Sequence, residues 1–170
     1  MPILGIAWWA LDFPFMKRYS RAFLNNHPQF KGKDIEITKK ACEKFKTIPV
    51  SITNFLEGTR FTPEKHRQQL SPYRHLLKPK SGGIAFVLSA MGEKLNTLLD
   101  VTIVYPRSSP TFWDFMSGKI DEISVKVKAL PISDALMGDY FTDAGFRSGF
   151  QNWVNTLWAE KDRTMDSLSA

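Results

Sequence analysis

The chain has 170 residues, 43% of them hydrophobic and 24% charged, a balance that suits one globular domain with a buried core and excludes a disordered or low-complexity composition. One cysteine, Cys42, excludes an internal disulfide, and no Cys/His cluster has metal-ligand spacing, so neither a metal nor a redox cofactor is expected. A formal net charge of +6 favours a polyanionic partner, and because the basic residues are dispersed without interleaved stacking aromatics, nucleic acid is not the expected one.

In chain order, residues 1–16 are mostly apolar and carry Trp8, Trp9, Phe13 and Phe15, followed by Lys17, Arg18 and Arg21. The stretch is shorter than the about 20 apolar residues a membrane span needs, but aromatic rings beside basic side chains suit a lipid headgroup region. Residues 3–11 read as a short helix stopped by Pro14, and residues 13–16 as a strand that delivers Lys17 and Arg18. Residues 25–33 are loop. Asp34 caps a helix with Ile35, Ile37, Ala41, Cys42 and Phe45 on its apolar face, and Pro49 ends it. Cys42, between Lys40 and Lys44, reads as a helix residue and not as a nucleophile.

Residues 50–55 read as a buried strand that runs into Glu57-Gly58-Thr59-Arg60. Residues 61–80 form a basic, proline-marked connection with one helical stretch over 64–70. Ser81-Gly82-Gly83 opens a helix expected over residues 84–99. Residues 101–105 are β-branched and apolar, a strand closed by Pro106. Ile123, Val125 and Val127 alternate with Ser124, Lys126 and Lys128, which predicts a strand with its lysine face in water. Residues 146–165 predict a helix with Phe150, Trp153, Val154, Leu157 and Trp158 on one side. Helices alternating with short apolar strands indicate an α/β domain, 1–170, around one sheet.

The chemistry concentrates at Glu57-Gly58-Thr59-Arg60. A strand ending there sets a carboxylate, a permissive glycine, a hydroxyl and a guanidinium at a sheet edge, where α/β proteins commonly bind ligands. Arginine grips phosphate through paired charge-assisted bonds, and glycine lets a substrate approach the backbone. Arg18 and Lys80 are the two further cations expected at the same anion, Lys80 because it precedes a helix start whose N–H groups favour phosphate.

Glu57-Gly58-Thr59-Arg60 after an apolar strand resembles the third signature block of the lysophosphatidic acid acyltransferase family. Phe15-Met16-Lys17-Arg18 resembles the second, whose closing arginine binds the glycerol phosphate, and Val101-Thr102-Ile103-Val104-Tyr105-Pro106 is similar to the fourth, which lines the acyl side. The longer strings from Ala10 to Arg21 and from Thr59 to His66 are similar to the branch of lysocardiolipin-type enzymes and a bacterial inner-membrane acyltransferase of the YihG type.

The resemblance implies a glycerol-3-phosphate acyltransferase-like α/β fold, a central mixed sheet flanked by helices and incomplete at its N-terminus. It implies a lysophospholipid acceptor, acyl-CoA or acyl carrier protein as co-substrate, and work at the cytoplasmic face of a bacterial inner membrane. It implies substrate phosphate binding by Arg18, Glu57, Gly58, Thr59, Arg60 and Lys80.

The family's first block, His followed by four residues and Asp, supplies the general base. Position 32, five after His27, is Gly; position 71, five after His66, is Ser; position 80, five after His75, is Lys. His27 with Asp34 has the wrong spacing, and His66 and His75 read as solvated or anion-assisting groups. The expectation is therefore a truncated chain whose catalytic His, Asp and membrane helix lie upstream of Met1, probed by an in-frame His-x-x-x-x-Asp in the upstream DNA. The alternative is a non-catalytic module that binds anionic lipid.

Overall fold

The structure is a computed structural model, and it describes Pro49, residues 51–105 and residues 110–169. The chain divides into two units between Ile52 and Thr53, and the elements below belong to the second. The helix expected over residues 3–11, the strand over 13–16, the Asp34-capped helix, Arg18, His27 and Cys42 lie outside the described residues.

Helix α1, Pro63–Gln69, begins where Thr62 accepts the Lys65 N–H on Oγ1 at 3.2 Å and Pro63 takes the first helical position, where its missing N–H has no intrahelical role. Leu70 closes it in the left-handed region at φ +48°. Helix α2, Ser81–Met91, gives way to a 3-10 turn, Gly92–Lys94, and then to strand β1, Thr97–Val104. Helix α2 thus ends well before residue 99, because Leu98 and Leu99 are already committed to pairing with Leu130 and Ala129.

Helix α3, Phe112–Met116, is a short turn of helix opened by a capping box between Thr111 and Asp114. Strand β2, Ser124–Pro131, runs antiparallel to β1, with Val101 opposite Val127 and Ile103 opposite Val125. After a 3-10 turn, Asp134–Leu136, comes helix α4, Ala144–Ser169, the 26-residue spine of this unit. Asp143 caps it, its Oδ1 accepting from Gly145 N at 2.8 Å and Phe146 N at 3.0 Å.

The chain is therefore mixed α/β, with one two-stranded antiparallel sheet among the described residues. Its core joins Ile84, Ala85 and Leu88 of α2 to Phe150 and Val154 of α4, with Leu136 and Tyr140 between them. Burying each of these larger apolar side chains stabilises the fold by roughly 1.5–3 kcal/mol. Val154 is 1% exposed, so a charged replacement there would strand its charge in hydrocarbon. The buried Ser81 Oγ and Tyr140 Oη lie 2.7 Å apart, and Tyr140 Oη also accepts from Gln151 Nε2 at 3.0 Å, so the polar groups in this core are satisfied.

Two expectations change. The lysine face is in water as expected, with Lys126 and Lys128 exposed, but the valine face is open as well: Val125 and Val127, with Val101 and Ile103 beside them, are exposed, and burial falls on Thr102 and Val104 of β1. The cause lies on α4, where the Lys161 ammonium bonds Asp100 Oδ1 at 2.6 Å, Val101 O at 2.8 Å and Thr102 Oγ1 at 3.1 Å, and Glu160 takes Lys128 Nζ at 2.7 Å. These ion pairs hold the hairpin against the helix. Residues 51–55 form no ladder, and Phe55 is 82% exposed. The chain turns there instead: Gly58 N donates to Phe55 O at 3.0 Å and Lys80 N to Leu56 O at 2.7 Å.

Candidate functional site

The Glu57–Arg60 segment is a turn held by two neighbours, the 71–80 connection on one side and α1 on the other. Leu77 N donates to Glu57 Oε1 at 3.0 Å, which pins the carboxylate to the connection. Burial pushes the Glu57 carboxyl above its ordinary range, while the Leu77 N–H and the Lys161 charge pull the other way. Gly58 sits at φ +67°, a left-handed conformation that disfavours any side chain. The Lys80 ammonium lies 3.4 Å from where a Cβ on residue 58 would stand, so Lys80 folds directly over the glycine.

Thr59 is held by a residue that sequence reasoning did not single out. Lys65 Nζ donates to Thr59 Oγ1 at 2.7 Å and to Arg60 O at 3.3 Å. Its only signal in the sequence is its place six residues after Thr59, in the first turn of a helix that the proline at 63 starts. Arg60, Lys65 and Lys80 make no ion pair with a carboxylate of the described residues. Two ammonium groups, of Lys65 and Lys80, thus lie against a four-residue turn that carries Arg60 and whose own acid, Glu57, is engaged by a backbone N–H. Such an arrangement attracts an anion with several oxygens.

The connection that carries Lys80 is fixed in turn by α4. Asp162 accepts Arg74 N and His75 N, each at 2.8 Å, Trp158 Nε1 donates to Leu77 O at 3.0 Å, and Tyr73 Oη donates to Asn155 O at 3.3 Å. Asp166 accepts from Arg74 and from His75 Nε2, at 3.0 and 2.8 Å, and the His75 hydrogen bond holds its carboxyl below the usual range. His66 Nε2 donates to Tyr73 O at 2.6 Å. Both described histidines therefore hold the connection in place. The His75 pairing is not legible from sequence, since its acid stands 91 positions away.

Of the residues singled out in the sequence, Glu57, Gly58, Thr59, Arg60 and Lys80 come together in this turn, and Arg18 lies outside the described residues. Helix α2 starts beside it with Lys80 at the N-cap and no side chain capping its first N–H groups. Gly58, Thr59 and Arg60 are exposed, and Glu57 is half-buried. An apolar hollow of about 500 Å³ lies elsewhere, lined by Leu130, Pro131, Leu136, Phe150 and Trp153 among others. Among the described residues, no helix is long and apolar enough to cross a membrane.

No protein-family model matches the chain, and no solved structure matches it. Curated proteins do. The chain is 23% identical over 178 residues to 1-acyl-sn-glycerol-3-phosphate acyltransferase 3 of Arabidopsis thaliana, covering 98% of this chain and 42% of that protein. It is 24% identical over 173 residues to 1-acyl-sn-glycerol-3-phosphate acyltransferase gamma of Mus musculus, covering 95% of this chain and 41% of that protein. It is 26% identical over 129 residues to lysocardiolipin acyltransferase 1 of Gallus gallus, covering 69% of this chain and 32% of that protein. The chain thus spans less than half the length of these relatives. These relatives are named as acyltransferases, two of 1-acyl-sn-glycerol 3-phosphate and one of lysocardiolipin.

Proposed function

We propose that this chain is the phosphate-gripping part of a lysophospholipid acyltransferase, of the branch that holds lysocardiolipin-type and bacterial inner-membrane enzymes. The observation that carries the reading is the turn of Glu57, Gly58, Thr59 and Arg60 with the Lys65 and Lys80 ammonium groups against it, neither paired with a carboxylate of the described residues. Arg60 takes two phosphate oxygens, and Lys80 closes over Gly58 onto a third. Glu57, pinned by Leu77 N–H, fixes the turn toward the glycerol. The fold is the acyltransferase-like α/β arrangement, and the residues around 101–106 lie on the acyl side.

In the reaction, the acceptor hydroxyl oxygen attacks the thioester carbonyl carbon of acyl-CoA or acyl carrier protein. The new C–O bond forms, the C–S bond breaks, and the hydroxyl proton passes through a general base to the departing thiolate. A positioned base supplies typically about 10² to 10⁴ in rate. The 170 residues hold no His-x-x-x-x-Asp, and His66 and His75 are occupied by Tyr73 O and Asp166. The chain by itself accordingly binds its lipid at the cytoplasmic membrane surface and does not turn it over.

The test is direct. Phosphatidylcholine vesicles doped with 1-acylglycerol 3-phosphate should pull down the chain in preference to undoped vesicles, and Arg60→Met should weaken that preference. Acyl transfer from labelled acyl-CoA or acyl carrier protein by these 170 residues alone would refute the missing base. Equal binding to both vesicles would refute the phosphate site. The second reading, a lipid-binding module without turnover in any context, is favoured by the structural engagement of both described histidines. Acyl transfer by any longer protein that contains this chain would exclude it.

A further inference from the structure

We propose that Lys65 is a direct ligand of the phosphate held at the Glu57–Arg60 turn, aimed there by the Thr59 hydroxyl and the Arg60 carbonyl; this rests on the reading just given. The backbone of Lys65 is fixed because its N–H bonds the Thr62 cap at 3.2 Å. From the first turn of α1 its side chain reaches back over the motif, and Nζ donates to Thr59 Oγ1 at 2.7 Å and Arg60 O at 3.3 Å. An ammonium has three N–H donors, so one remains for a ligand.

The partners are as informative as the distances. Lys119, Lys128 and Lys161 each meet a carboxylate, at 3.9, 2.7 and 2.6 Å. Among the described residues, Lys65 Nζ meets only a hydroxyl and a carbonyl, which fix its position and leave its charge whole. A lysine serving as a brace alone would be held equally well by an acid. A lysine whose charge is kept for an incoming anion is held as this one is, by neutral acceptors. Arg60 then supplies planar, paired contacts and Lys65 a compact point charge beside them. Thr59 becomes a positioning residue, since its hydroxyl acts through Lys65.

The experiment uses the full chain and phosphatidylcholine vesicles with and without 1-acylglycerol 3-phosphate. Lys65→Met should weaken association with the doped vesicles about tenfold and Lys65→Arg by less than about threefold, as loss or retention of one charge-assisted bond predicts. Lys119→Met, far along the chain from the turn, should bind as the parent does. Should Lys65→Met lower the thermal midpoint, Lys65→Gln, which keeps a donor for Thr59 without the charge, decides. The same loss in Lys65→Gln supports the proposal, and parent-like binding overturns it. Parent-like binding of Lys65→Met beside a weakened Arg60→Met also overturns it, while sparing the site. Equal losses in Lys65→Met and Lys65→Arg with lowered midpoints reduce Lys65 to a brace. If Arg60→Met and Lys65→Met both bind as the parent does, or the parent ignores the doped lipid, the functional reading falls and the proposal with it.

Discussion

Replacing Lys161 by Met tests how the hairpin is held to α4. The ammonium spends all three N–H donors, on Asp100 Oδ1, Val101 O and Thr102 Oγ1, and lies 5.6 Å from the Trp158 ring centroid. The two charged side chains are 8% and 13% exposed. Removing the lysine leaves Asp100 as a nearly buried, unpaired anion and strips two further acceptors. Breaking such a pair from one side costs about 3–5 kcal/mol, and the residual exposure of Asp100 sets the expectation at about 3 kcal/mol. That is a large share of the about 5–15 kcal/mol that holds a typical domain. With urea slopes of about 1–3 kcal/mol/M, the unfolding midpoint read by circular dichroism should fall by at least about 1 M. Adding Asp100→Asn to Lys161→Met removes the stranded charge and should recover about half of the loss. A single-variant loss below about 1 kcal/mol, or a double variant no better than the single, would refute the claim that this buried pair fixes the hairpin.

Asp162→Ala removes the acceptor of two backbone N–H groups and should cost about 1–3 kcal/mol, with faster amide exchange across residues 74–80 and weaker doped-vesicle binding through a loosened Lys80. Gly58→Ala puts a side chain at φ +67° against Lys80 and should cost about 1–2 kcal/mol by chemical denaturation, with vesicle binding reduced more than stability. Glu57 has its folded carboxyl raised above the ordinary value of 4.5, so its contribution is present below that value and lost as pH rises through the folded one. Glu57→Gln keeps an acceptor for Leu77 N and lacks this dependence. Urea melts from about pH 4 to 7 should show the stability of the parent falling relative to Glu57→Gln as pH rises, and a flat difference would refute the burial of this carboxyl. Asp166 and Glu160 act in the opposite sense, each held low by a hydrogen bond, from His75 and Lys128 respectively. Their contribution is lost as pH falls through the folded values, and it cancels in that comparison.

Elements whose stability is local were legible in the sequence. The apolar face of α4, with Phe150, Val154, Leu157 and Trp158 buried, follows from its period alone. So does α1, whose Thr62 and Pro63 are start signals. Period names a strand but not the face it covers. Residues 123–128 alternate and Lys126 and Lys128 are exposed as expected, yet the valines between them are exposed too, because α4 meets the sheet through Lys161 and Glu160, which are distant in sequence. Residues 51–55 form no strand for a related reason: an apolar run becomes a strand only beside a ladder partner, and this one joins a turn closed by Lys80. At the candidate site, the motif and Lys80 could be named from residue type. Lys65 could not, since its place is set by a side-chain bond back across a helix start.

The outward row of the hairpin, Leu99, Val101 and Ile103 beside Val125 and Val127, has practical weight at the bench. This polypeptide should handle as an amphiphile. It should be retained late on hydrophobic-interaction resin, brighten a naphthalene-sulfonate dye without denaturant, and stay in clear solution longer when a mild detergent supplies micelles for that row to rest against.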